Sequence, residues 1–322
     1  MPEMMYFGKI PARGDFIRSN VPVQVAALFD NWISQGLELL VRDPEWKEKF
    51  DLTGPINFLF TRSRAKSAIA GTLISSHDHT QRRYPFLVFS TWENLAAGPF
   101  VQRSPMLLNQ YWHRATCWAM KARHEGDPTK ALLEIEDNQT PFDLRYEAYD
   151  ASYNDFLEMT TLQELAVMLG MSAGGTLRQT ILGLAILLQP LRMNNGNATM
   201  YRGFSLPLAD SPLYSALTAA MWQDLLSAFV ANGDYEMAIY ITHHENERKC
   251  TVNLAGPTAR TFQALFKGAG SEDAIIDLSQ ARWVDEQTHA DYTVRKLDSF
   301  LAYPDLSIKR LVQTFKEGNS SR

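Results

Sequence analysis

Lys9, Arg13 and Asp15 lie within seven residues of one another near the start of a 322-residue chain. Two cations and a carboxylate that close together suit a small polar pocket. The cations would hold an oxyanion and the carboxylate would move a proton. Arg83, just ahead of an aromatic segment, is the natural fourth member of a hydrolytic or nucleotide-binding set. The stricter motif tests fail. A phosphate loop needs Gly, four residues, then Gly-Lys-Ser/Thr opening a helix. Here no glycine precedes Gly8-Lys9, and Ile10-Pro11 follows. Arg13-Gly14-Asp15 spells an adhesion tripeptide, but its local chemistry is that of a turn. Gly14 is free in φ, and Asp15 is able to bond nearby backbone N–H groups.

The other candidates for chemistry are sparse. His77 and His79 flank Asp78 at a spacing that puts two imidazoles on one face of a strand. No further ligand cluster completes the three or four positions a zinc ion takes, and His243-His244 is the only other adjacent pair. An exposed polar loop is the simpler reading, so no metal and no cofactor are expected. Cys117, mid-helix beside Trp118, reads as a buried structural thiol. Asp15, Asp78 and Arg83 sit at strand ends or in adjacent loops. Their convergence would give a charge-assisted hydrogen-bond set that pins the loop, the reading preferred over direct partner contact.

The elements that would position these residues follow from periodicity. Met4 to Ile10 reads as a strand, stopped by Gly8 and Pro11, since proline gives no N–H to a ladder. Val25, Leu28, Phe29, Trp32, Leu37 and Leu40 recur at helical spacing over Pro22 to Val41. Ile56 to Phe60, Ser67 to Ser75 and Tyr84 to Thr91 read as strands, the last with Pro85 at its start. Ser104-Pro105 reads as a helix start reaching Arg123. A short helix covers Thr129 to Glu136, and the polar run Asp137 to Asp155 reads as a boundary between domains 1–137 and 150–322. Beyond it come helices over Leu162 to Leu169 and Thr176 to Leu188, a turn at Asn194 to Asn197, and a strand at Met200 to Pro207. A helix from Ser211-Pro212 to Ala231 follows. Tyr235 to Thr242 and Arg248 to Leu254 pair as a hairpin, followed by a helix from Thr258, a strand at Ala274 to Leu278 and amphipathic helices to Lys316. Trp32, Trp46, Trp112 and Trp118 read mainly as core.

Composition narrows the partners. The net charge of −5, with both signs interspersed, lacks the basic face that phosphate neutralisation needs, so no nucleic acid is expected. Two cysteines far apart give no disulfide framework, and Met1 to Tyr6 has no basic segment followed by a long apolar one. The apolar run Ile181 to Leu188 falls short of the ~20 residues a bilayer needs. A cytoplasmic protein that spans no membrane is therefore expected.

Several segments agree in order and spacing with one family. They are Phe7-Gly8-Lys9-Ile10-Pro11-Ala12-Arg13-Gly14-Asp15-Phe16, then Phe29 to Leu37 with Trp32 and Gly36, then Trp46. Gly54 to Phe58, Gly71 to Ser76, and Asp78 with Gln81-Arg82-Arg83-Tyr84-Pro85-Phe86 complete the set. Over residues 4 to 125 the set strongly resembles the TagF (ImpM) family associated with bacterial type VI secretion. Where that pattern has Gly-Arg ahead of the aromatic-Pro strand, this chain has Gln81-Arg82-Arg83, so either arginine could fill the role. The half beyond residue 145 resembles the family only loosely.

The resemblance implies a three-layer α/β/α sandwich, a mixed and largely antiparallel sheet with helices on both faces, plus a second α/β part C-terminal to it. It implies no enzyme, but a post-translational repressor of secretion that binds the forkhead-associated scaffold Fha, in some systems beside a kinase–phosphatase switch. Two other readings stay open. One is a ligand-binding or hydrolytic enzyme built on Lys9, Arg13, Asp15 and Arg83. The other is a structural accessory subunit of the secretion apparatus.

Overall fold

The computed structural model describes residues 3–138, 145–193, 200–231, 233–244, 247–267, 271–287 and 292–320. The first half runs β1 (Met5–Gly8), β2 (Ile17–Arg18), α1 (Val23–Leu40), α2 (Trp46–Leu52), β3 (Ile56–Arg62), β4 (Ala68–Ile74), β5 (Phe86–Trp92), α3 (Ala97–Leu107), α4 (Asn109–His124) and α5 (Thr129–Glu136). The second runs α6 (Glu147–Met159), α7 (Leu162–Met168), α8 (Arg178–Met193), β6 (Gly203–Pro207), α9 (Pro212–Val230), β7 (Glu236–His244), β8 (Glu247–Asn253), α10 (Ala259–Leu265), β9 (Ile275–Asp277), α11 (Val284–Gln287), α12 (Tyr292–Leu301) and α13 (Ile308–Ser320). A wide π-turn, Ala173–Leu177, leads into α8.

All nine of these strands join one sheet in the order β2-β1-β5-β4-β3-β7-β8-β6-β9. Every pairing is antiparallel except β6 with β9. The two halves of the chain meet where β3 pairs with β7, from Ile56 opposite Thr242 to Arg62 opposite Glu236. The expected boundary at 137–150 falls where the chain passes from α5 to α6, partly outside the described residues. Strands from both sides of it share the sheet. The turn expected at Asn194 to Asn197 also lies outside the described residues.

Alternation with a period of two sends side chains to opposite faces of each strand. Phe7, Phe58, Phe60, Phe89 and Tyr240 form one core with α1 and α10. Tyr6, Leu59, Val88, Ile239 and Val252 form the other with α3, α4, α8 and α9. The architecture is the α/β sandwich with helices on both faces. Among the described residues no single helix is long and apolar enough to cross a membrane, and Ile181, Leu182, Leu184 and Leu188 are buried in the second core.

Three local expectations are corrected. The helix read as starting at Ser104 begins at Ala97, and Pro105 lies in its last turn. The Ser104 hydroxyl donates to the carbonyl of Val101 at 3.0 Å, the group that the missing proline N–H leaves bare. Residues 147–155 of the polar run are helical, because Tyr153, Phe156 and Leu157 give α6 a buried stripe. Cys117 is exposed. The buried face of α4 is carried by Tyr111, Trp112, Ala115, Ala119 and Ala122, and position 117 falls off it.

Helix α1 lies close to α10 because Gly36 has no side chain: a Cβ there would overlap the ring of Phe262. Gly36→Ala is therefore expected to destabilise the chain by about 1–3 kcal/mol through overpacking. Chemical denaturation measures this, and an unchanged midpoint would mean that the two helices do not pack this closely.

Candidate functional site

Strand β1 ends against the start of β5, where Gly8 pairs with Phe86. Gly8 has a φ of +132°, and a Cβ on it would overlap the carbonyl oxygen of Pro85. A non-glycine residue would meet both the steric clash and an unfavourable backbone region. The chain then turns Lys9 inward, and its Nζ reaches the Asp78 carboxylate at 2.9 Å.

Asp78 is the hub of the site and is fully shielded from solvent. Its Oδ1 accepts from the Thr80 N–H at 2.9 Å, the Thr80 hydroxyl at 2.7 Å and the Arg82 N–H at 3.0 Å. Its Oδ2 accepts from Lys9 Nζ and from Arg82 Nε at 2.7 Å. Burial alone would raise the Asp78 carboxyl. The hydrogen bonds from Thr80, Lys9 and Arg82 outweigh that and hold it well below the usual carboxylate range. A carboxylate so saturated with donors is a poor base and has no lone pair free for a metal.

Arg82 also donates through Nη2 to the carbonyl of Gly14 at 2.9 Å, and the His79 N–H donates to the carbonyl of Arg13 at 3.0 Å. The 77–83 turn thus holds the signature loop from its far side. Gln81, in this turn, has a φ of +64°. That left-handed conformation is one a glycine adopts without strain.

The other sequence candidates are not gathered around this hub. Arg13 reaches outward to the Thr129 hydroxyl at 3.0 Å and lies 4.0 Å from Asp127, ahead of α5. Asp15 is exposed, and its side chain has no ion pair or hydrogen bond among the described residues. Arg83 points to Asp51, with bonds of 2.9 and 2.6 Å, over the ring of Trp46. The expected convergence of Asp15, Asp78 and Arg83 is replaced by Lys9, Asp78 and Arg82. Pro11 and Gly14 are half-buried in the loop, and a Cβ on Gly14 would press on the His79 ring. Trp32 is buried on α1, donating to the Thr258 carbonyl at 3.2 Å. Cys117 lies 3.9 Å from His113 and apart from this site.

Phe16 closes the loop and is 49% exposed. Its ring meets Tyr84 edge-on at 4.6 Å between centroids, and Lys9 Nζ lies 4.8 Å from its centre. Tyr84 is buried, with its hydroxyl 3.4 Å from Asp30. Burial pushes its phenol pKa up, followed by the influence of Asp30. Phe16 is therefore an exposed aromatic held on a rigid base. Among the described residues no group of His, Cys, Asp and Glu could hold a metal ion. The residue that sequence reasoning placed least firmly was Arg82. The position of the Gly-Arg pair was the signal for it.

Lys9→Met removes a buried charge-assisted hydrogen bond while Arg82 still pairs with Asp78, so it is expected to cost about 1.5–3 kcal/mol, seen as a lower denaturation midpoint. A carboxyl held low in the folded chain contributes its full stability above the unfolded value of about 3.9. It loses that stability as pH falls through this value toward the folded one. The margin of the parent chain over Asp78→Asn should accordingly be largest above pH ~5 and shrink below pH ~4. A margin independent of pH would place the stabilisation elsewhere. Gln81→Gly relieves a left-handed residue, and a gain of roughly 0.5–1 kcal/mol is expected in the same assay.

Comparison with known proteins bears on the same segment. The family model described as the TagF N-terminal domain, type VI secretion system-associated, matches residues 5–136. A comparison with curated proteins finds no match. Among solved structures, the crystal structure of PA0076 from Pseudomonas aeruginosa PAO1 is similar at 16% identity, with a TM-score of 0.38. The match covers 43% of this chain and 64% of that one, so it spans less than two thirds of the relative's length. The motifs that build the Asp78 hub and its loop all fall inside residues 5–136, the segment that matches the type VI secretion-associated TagF N-terminal domain.

Proposed function

We propose that this chain is a cytoplasmic negative regulator of type VI secretion that acts by protein contact with the forkhead-associated scaffold Fha rather than by catalysis. The observation that carries the reading is the division of labour within the signature loop. Lys9, Asp78 and Arg82 bond to one another and to the backbone. Phe16 and Asp15 stand outside on the base this makes. A half-exposed aromatic with little freedom to lose is a favourable interface anchor, because less entropy is lost when a partner covers it.

The hydrolytic alternative would need Lys9, Arg13, Asp15 and Arg83 around one point. Lys9 is engaged by Asp78, Arg13 by Thr129 and Arg83 by Asp51. On this reading the segment 1–137 carries the primary contact, and the segment 150–322 braces it through the shared sheet.

Phe16→Ala and Asp15→Ala separate the roles of the loop. Both are expected to keep the parent melting temperature within about 2 °C, since exposed substitutions cost about 0.5 kcal/mol or less. Phe16→Ala should weaken scaffold binding at least tenfold in a pull-down or calorimetric titration. It should also fail to repress secretion of the tube protein when overexpressed. Full binding and repression by both variants would refute this surface, and unchanged secretion on overexpressing the parent chain would refute the repressor reading.

A further inference from the structure

Away from the signature loop, a cavity of about 350 Å³ opens at the start of β8. Residues 248, 250 and 252 share one face of this strand. Cys250 and Val252 are covered there by the helical core, and Gln223 of α9 donates to the Cys250 sulfur. Arg248, at the end of the row, lines the cavity instead, together with Met171, Thr176, Leu208, Asp210 and Gln280.

The charges around this cavity are committed unequally. Lys249 also lines it, but is held by Glu247 and Asp277, each at 2.9 Å. Arg248 has no ion-pair partner among the described residues, and its Nε–H is shielded from solvent without an acceptor. A shielded guanidinium N–H without an acceptor is costly, and guanidinium is the side chain best shaped to take an oxyanion in two bonds. Asp210 is likewise without an ion pair, and is exposed at the cavity. Thr176 accepts from the Ser172 N–H at 3.1 Å, which leaves its hydroxyl proton to donate. The uncommitted lining is therefore one cation, one carboxylate and two neutral groups, the Thr176 hydroxyl and the Gln280 amide.

We propose that this cavity binds a zwitterionic small molecule of amino-acid size. Its oxyanion lies against Arg248 and Thr176, and its ammonium lies toward Asp210. The volume lies at the lower end of the ~300–1,000 Å³ usual for small-ligand sites, which fits such a molecule. The opposed charges Arg248 and Asp210 favour a ligand carrying both signs over a simple anion or a simple amine.

The test is a thermal-shift and calorimetric series on the full chain with L-serine, O-phospho-L-serine, inorganic phosphate and ethanolamine, each at ~10 mM. At least one of the two zwitterions should raise the melting temperature by several degrees, as binding to the folded state alone requires. Phosphate and ethanolamine should each do less. Arg248→Gln should abolish the shift, Arg248→Lys should restore part of it, and Asp210→Asn should weaken binding about tenfold. Melting of each variant without ligand reports its folding. If Arg248→Gln does not fold, Asp210→Asn at its exposed position decides. The proposal is overturned if neither zwitterion shifts melting, if phosphate alone matches them, or if the shift survives both substitutions.

Discussion

The buried contact between Lys9 and Asp78 is the constraint on which the N-terminal domain depends. It joins the residue that follows β1 to the turn that precedes β5, two strands already paired side by side. A buried charge pair is tolerable only when its remaining valences are filled. That requirement explains the surrounding residues: Thr80 and Arg82 complete the carboxylate, and Arg82 continues to the loop carbonyl at Gly14. Gly8 follows from the same geometry, since only a residue without a side chain passes Pro85 at this distance. The signature is thus a set of mutual requirements within one folded knot, with Asp15 and Phe16 left on its exposed rim.

The sheet gives this knot its rigidity. Strands β1 and β5 lie in one continuous sheet with β7 and β8 of the second half, joined at β3. Trp32 illustrates the coupling: it sits on α1 in the first half, packs on Phe60, and also touches Tyr240 and Phe262 from the second. The C-terminal half therefore acts on the N-terminal domain through packed aromatic rings as well as backbone pairing. It also carries polar structure of its own. Asp224 on α9 accepts from Tyr153 of α6 and Lys316 of α13, which ties the last helix to the core.

Much of this was legible in the residues. The strands showed as short runs rich in apolar, aromatic and β-branched residues, and the two-faced sandwich was what the family resemblance implied. The family motifs marked the loop, and the Gly-Arg position pointed at the 81–83 segment. What the sequence concealed is equally physical. Ser104-Pro105 carries the chemistry of a helix start, yet the hydroxyl satisfies a carbonyl inside a helix already under way. The stripe of α6 was masked by the acidic and polar residues between Tyr153 and Phe156. Arg82 and Arg83 are neighbours of one type, and only the fold separates them, one to Asp78 and one to Asp51. The exposure of Asp15 likewise depends on how the loop is tied down, which no spacing rule encodes.

The central claim is that the charged signature maintains structure and performs no proton chemistry. A titration of the Asp78 side chain in the folded protein, followed by carboxyl carbon NMR, tests it directly. The account requires the group to stay ionised well below about 3.9, the ordinary aspartate value. A midpoint at or above that value, and above all one drawn toward neutrality where a general acid or base works best, would contradict it.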